Sequence, residues 1–302
     1  MKLKAKLLFV LLIISVSTFG QNSVNVIPHW KKNDTNSVII KSKTTDSINK
    51  KSINFLSSYK ANFKVLENNE KEYLVEWTYT DSNLAVGDPV FENNIIAKLL
   101  NTKIQIKLSN VGKFIELVNV EELKSASNKV LDELIKTEKN QNIKVQYNGI
   151  KQLITTKQGL EIVLLKQIKL YHFSFGYNYN LNNEKTNNIK FPNPLGGEPF
   201  EAIEKVNLTK LDNKNSICVI ETSKIVDGEI LTKSVLNYLK NIYKDKFKEI
   251  DAELGKSKFK ITENSIQELN FEKGSLKKSY FKRIVNLGVQ NRTVVFEIDA
   301  IN

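Results

Sequence analysis

The chain has 302 residues, with 45 Lys or Arg against 33 Asp or Glu, for a formal charge of +12 at neutral pH. That length can bury a sizeable core in one large domain or two small ones, and the single cysteine, Cys218, excludes an intramolecular disulfide. Only Arg283 and Arg292 are arginine, so the chain nearly lacks the bidentate fork that reads phosphate and guanine, and nucleic acid is not an expected partner.

Lys2, Lys4 and Lys6 precede a run from Leu7 to Val16 that is apolar apart from Ser15, and Thr18 and Gly20 put small residues just before Gln21. This pattern predicts a signal peptide over 1–20, cleaved near Gly20–Gln21, and an exported product, periplasmic or secreted. The apolar run is well short of the roughly 20 residues that span a bilayer. No later segment approaches that length without charges, so no transmembrane segment is expected in the mature chain. The residue at the cleavage point is Gln21 and not a cysteine, so the usual lipid attachment of bacterial lipoproteins is not expected.

Residues 21–50 read as an extended N-terminal arm that adds a strand, with Thr44–Lys51 loose. Period-two patterning follows. Tyr73, Val75, Trp77 and Tyr79 share one face of a strand, and Asn68–Glu72 marks the turn before it. Ile104, Ile106 and Leu108 alternate, SNVG makes a bend at Gly112, and Phe114 to Val118 return, which predicts a hairpin. Asn119 then stands at a helix start, with Glu122 three residues on in capping-box position. Leu123, Ala126, Val130 and Leu134 recur at helical spacing. Glu121 and Glu122 are therefore read as first-turn acids favoured by the helix dipole. Adjacent helical residues point about 100° apart, so the two are not read as a catalytic pair.

A second helix is predicted over about 156–171, with Leu160, Leu164, Ile168 and Tyr171 as its stripe. Phe173, Phe175, Tyr177 and Tyr179 alternate after it as an aromatic strand. FPNPLGGEPF (191–200) is the strongest break in the chain, and no Gly-Lys-Ser/Thr follows to make it a phosphate loop. Beyond it LDNKNSICVIET (211–222) matches LENNEKEYLVEW (66–77) at a constant offset. A helix with Val235, Leu239, Ile242 and Phe247 follows, then a hairpin bending at Gly274, and RTVVFEIDAI reads as a final strand. The expectation is an α+β fold of antiparallel curved sheets with packed helices, arranged as two related lobes through internal duplication. The divisions are 1–20, 21–50, a first lobe over 51–135, a central helix and aromatic strand over 136–190, the break over 191–200, and a second lobe over 201–302.

Several segments together resemble uncharacterised exported proteins of Bacteroidetes-type bacteria. They are the leader ending in FGQ, IPHWKKND, YLVEWTY, the step from GKFIELVN into a helix, FPNPLGGEPF, and the lysine, asparagine and isoleucine bias. The resemblance covers most of the chain and implies a domain without an assigned activity or site.

Little of the usual catalytic equipment is present. His29 and His172 are the only histidines. No zinc-binding spacing, nucleophile elbow or acidic calcium loop occurs, and neither a metal nor a cofactor is expected. Cys218 lies in an apolar run and reads as a buried small hydrophobe. Glu76 and Glu221, at matching positions of the two similar stretches, are the carboxylates that would serve a glycan-active hydrolase. Trp77, Phe175, Tyr177 and Tyr179 are the aromatics that would stack on sugars or hold an acyl chain. The expected function is a non-enzymatic binding or interaction module of the cell envelope. Its partner would be a lipid or other apolar ligand, a glycan or an envelope protein, and the hydrolase is the alternative.

Overall fold

The computed structural model describes residues 22–48, 51–84, 91–193, 199–242, 259–287 and 290–301. The expected signal peptide (1–20) and the centre of the proline–glycine break (194–198) lie outside these residues. So do Phe247 and the side chains of Leu239 and Ile242.

Thirteen strands form among the described residues. In chain order they are β1 (Ser23–Val26), β2 (Thr35–Ile48), β3 (Lys51–Asn68), β4 (Glu72–Asn83), β5 (Lys103–Ser109), β6 (Phe114–Leu117), β7 (Tyr177–Asn180), β8 (Lys185–Phe191), β9 (Phe200–Asp212), β10 (Ile217–Val226), β11 (Lys260–Asn270), β12 (Ser275–Leu287) and β13 (Gln290–Ile301). Six helices are described: α1 (Phe91–Lys98), α2 (Val120–Thr137), α3 (Gln141–Leu153), α4 (Lys157–Leu164), α5 (Lys166–His172) and α6 (Gly228–Ile242). Eleven strands make one antiparallel sheet in the order β6-β5-β4-β3-β2-β13-β12-β11-β10-β9-β8, and β1 pairs only with β7.

This overturns the expected α+β fold of two lobes. The protein is mainly β, and its large sheet is continuous. The join is the central ladder of β2 and β13, where Ser37–Ile48 face Ile301–Gln290. Residues 44–48, expected to be loose, belong to this ladder. The reason they read as loose is chemical. The positions of β2 that face inward past Ile40 are Ser42, Thr44 and Asp46, so the apolar alternation that announces a strand is missing there. The matched stretches 66–77 and 211–222 both fold as hairpins, at the same end of this one sheet.

At that end the sheet is rolled. A Cβ on Gly112, in the β5–β6 turn, would lie 3.0 Å from Pro28 Cδ, and one on Gly274, in the β11–β12 turn, would lie 2.5 Å from Pro28 Cα. In a flat sheet β5 and β12 would be five strand spacings apart, about 24 Å. Both hairpins instead close on one proline. Gly112 (φ +86°) and Gly274 (φ +57°) supply the left-handed backbone these bends need.

Helices α1 to α5 cover one face of the sheet, and its inward side chains form the main core with them. Val38, Ile40, Val65, Val75, Ile106, Ile220 and Phe296 belong to it, with Leu123, Leu131, Leu160 and Ile168 from the helices. Asn119 stands before α2 as expected, but its side chain does not cap the helix. Its Oδ1 accepts from the Gln105 N–H and its Nδ2 donates to Lys103 O and Glu122 Oε2, which ties the helix start to β5. The helix expected over 156–171 is broken at Leu165 into α4 and α5. A second, smaller core lies at the other end of the sheet, where Leu231 of α6 packs with Phe191, Phe200, Val226, Phe259 and Ile261.

Candidate functional site

The two cores share the inner face but do not merge, and a polar belt lies between them. Its register is set by the ladders. Lys224 faces Glu204 on one side and Glu263 on the other, and Glu263 faces Arg283. Four adjacent strands thus carry a row of alternating charge. Lys224 Nζ is 3.3 Å from Glu204 Oε1, and Arg283 Nε donates to Glu263 Oε1 at 2.6 Å. Further along, Arg292 donates from Nε and Nη2 to the two oxygens of Asp46, at 2.6 and 2.8 Å. Both arginines of the chain therefore face inward. Charges so placed are costly to desolvate unless paired, and each of these is paired.

Sequence reasoning passed over this belt, although a signal was present. Arg292 has the same strand parity as Val294, Phe296 and Ile298, and Glu263 the same as Ile261 and Leu269. A charge in phase with buried apolar residues points to the core.

Phe173, just after α5, stands over the belt with Lys224 Nζ 5.1 Å from its ring centre. A hollow of about 50 Å³ lies on one side, lined by Leu170, Thr222, Lys224, Ser265 and Phe281 as well as Phe173. The buried Thr222 hydroxyl finds no hydrogen-bond partner there. On the other side is a pocket of about 280 Å³. Phe173, Tyr177 and Tyr179 form its aromatic wall, and Ile189 and Val206 of the sheet form its apolar floor. Its polar groups are Asn178, Lys185, Asn187 and Glu204. Lys185 Nζ donates to Asn178 O at 3.1 Å, and Asn187 Nδ2 to Glu204 Oε2 at 3.4 Å.

The aromatic wall is held by the small β1–β7 ladder, which pairs Val24 with Tyr179 and Val26 with Tyr177. Gly176 (φ +81°) turns the chain into β7 and donates to Val26 O at 2.7 Å. Tyr179 is buried and donates from Oη to Ser174 O at 3.0 Å. Burial pushes its phenol well above the usual range, so it remains a fixed donor. Tyr177 is half exposed, and Lys113 Nζ sits 3.9 Å from its ring centre.

The aromatic candidates thus separate. Tyr177 and Tyr179 line the pocket. Trp77 and Phe175 lie in the main core, 1% and 0% exposed. Trp77 packs edge-on to Tyr171, and Phe175 packs near Trp30. Phe173 to Phe175 form a turn, and the strand expected there is confined to Tyr177–Asn180.

The carboxylate candidates are not brought together. Glu76 is on the outer face of β4, 3.6 Å from Lys103 Nζ and accepting from Gln105 Nε2 at 3.2 Å. Glu221 is on the outer face of β10, accepting from Thr209 Oγ1 at 3.3 Å. Six strand spacings separate β4 from β10, about 29 Å along the sheet. Among the described residues, no group of three or more His, Cys, Asp and Glu is placed to hold a metal ion, and no helix is long and apolar enough to cross a membrane.

His172 is buried among Trp30, Phe63, Trp77, Tyr171 and Phe175, and neither ring nitrogen meets a hydrogen-bond partner. Burial pushes its pKa down to about 3, so the ring is neutral. It packs as part of the core.

No protein-family model and no curated protein matches the chain. Among solved structures it is similar to one described as lipid–protein interactions in lipovitellin, at 9% identity and a TM-score of 0.47. That match covers 91% of this chain and 26% of the other, so the chain spans about a quarter of that protein's length. It is also similar to a protein from Bacteroides fragilis described as exported, with a YmcC-like fold, at 8% identity and a TM-score of 0.25, covering 92% of this chain and 100% of that one. An outer membrane channel from Pseudomonas putida F1 matches at 7% identity and a TM-score of 0.15, over 91% and 98% of the two chains.

Proposed function

We propose that this is an exported, non-enzymatic binding protein of the cell envelope, which holds one amphipathic molecule against the inner face of its sheet. One observation carries the reading. The inner face is divided between two apolar cores, and the gap between them carries a row of paired charges beside a pocket with an aromatic wall and an apolar floor, which we read as one groove. A wholly structural sheet would fill that gap with apolar side chains. A groove that is apolar along its walls and polar in its belt suits a ligand with an acyl part and a polar part. The leader over 1–20 supports export. A hydrolase built on Glu76 and Glu221 draws no support from the geometry, because both carboxylates point away from the groove.

The test is native mass spectrometry on the protein purified gently from an exporting host. The expected result is extra mass, lost on denaturation, that matches a lipid or related amphiphile. A clean unliganded mass, followed by no uptake from lipid vesicles, would remove the reading.

A further inference from the structure

The proposed groove offers two kinds of place for the polar part of a ligand. One is the charged row and the other is the pocket beside it. We infer that the polar part enters the pocket of Phe173, Tyr177 and Tyr179, and that it is an uncharged, hydroxyl-rich group of about one sugar ring. This rests on the proposed binding function and specifies its ligand.

Three observations carry it. The first is size. At about 280 Å³ the pocket is at the lower end of the roughly 300–1,000 Å³ typical of small-molecule sites. It holds one ring-sized group and not a whole lipid.

The second is charge. The pocket's one carboxylate, Glu204, lies in its lining, and its one lysine, Lys185, has one N–H tied to Asn178 O at 3.1 Å. A phosphate would enter beside Glu204 and meet repulsion. The neighbouring guanidinium of Arg283 is committed to Glu263. A neutral polyol meets no such conflict. Its hydroxyls both donate and accept, which suits a wall of Asn178, Asn187 and Glu204.

The third is shape. Tyr177 is 51% exposed on the pocket rim, and Lys113 occupies one side of its ring at 3.9 Å. The C–H face of a sugar ring packs on such an aromatic surface, while its hydroxyl edge turns to amide and carboxylate groups. Ile189 borders both the pocket and the second core. An acyl part attached to the ring would therefore continue onto apolar residues.

The test compares two amphiphiles that share a tail, decyl glucoside and decyl phosphate, titrated calorimetrically below their micelle thresholds. The expected result is decyl glucoside binding about tenfold tighter. Tyr177→Ala and Asn187→Ala should each weaken the glucoside by about two- to tenfold, as the loss of one aromatic or hydrogen-bonding contact would, and leave decyl phosphate unchanged. Both positions are exposed, so thermal melts of the variants should match the parent. Equal affinities, or a preference for phosphate, would overturn the head-group assignment and leave the groove standing. Binding of neither amphiphile would count against the groove itself, and the assignment would fall with it.

Discussion

His172 offers a quantitative check on the core. The substitution is His172→Leu, which keeps the volume close and removes both nitrogens. In the folded protein the imidazole is shut among five aromatic side chains and its pKa falls to about 3. In the unfolded chain it titrates near 6.5. The folded pKa is thus the lower one, so the unfolded state binds the extra proton between these values. The stability that this site withholds from the folded state grows as pH falls below 6.5, and the loss levels off near pH 3. From pH 7 to pH 5 the cost is about 2 kcal/mol, from linkage at about 1.4 kcal/mol per pH unit. Urea unfolding of parent and variant at both pH values measures it. Carboxylates elsewhere titrate alike in the two proteins, so the difference isolates His172. The variant should be at least as stable as the parent at pH 7, because two unpartnered buried nitrogens are gone. It should gain about 2 kcal/mol on the parent by pH 5. Identical pH dependence in the two proteins would mean that the folded state protonates this ring, and the account of the core around it would be wrong.

Two further outcomes follow from close packing. Gly274→Ala places a Cβ 2.2 Å from Ile27 O, at a positive φ. It should destabilise the protein by about 2–4 kcal/mol in urea. Gly149→Ala, in α3 with no atom within 4 Å of the new Cβ, should instead add about 0.5–1 kcal/mol. Cys218 is fully buried, and burial pushes its thiol up to about 12. It should resist thiol reagents in the native protein at pH 8 and react at once in denaturant.

Local structure was largely legible in the sequence. Gly112 and Gly274 marked their bends, and Tyr73, Val75, Trp77 and Tyr79 alternated as β4 does, all four inward and buried. Leu123 and Val130 gave the buried stripe of α2. Three features were hidden for physical reasons. β2 carries polar residues on its inner side, so its period-two signal fades where it enters the belt. The pairing of β2 with β13 joins residues as far apart as Lys41 and Asp299, whose side chains meet at 3.4 Å. No local pattern encodes such a contact. Among the aromatics, alternation marked an apolar face but could not say which residues a helix would later cover. α5 brings Tyr171 onto Trp77, while Tyr177 stays outside.

The central ladder also dictates an order of assembly. On one side of it β3, β4, β5 and β6 are successive neighbours, and on the other so are β8, β9, β10, β11 and β12. Each wing can zip from hairpin to hairpin with short loop closures. The seam cannot, because Asp46 must find Arg292 across 246 positions of chain, and the entropy of that closure is met only once β13 is available. Until then β2 and β12 each present a bare edge, the kind of surface that pairs with other chains. The seam therefore acts as a check on completeness. Loss of β13 would leave two wings with sticky margins, and such a truncated chain should aggregate and not fold into a smaller version of the protein.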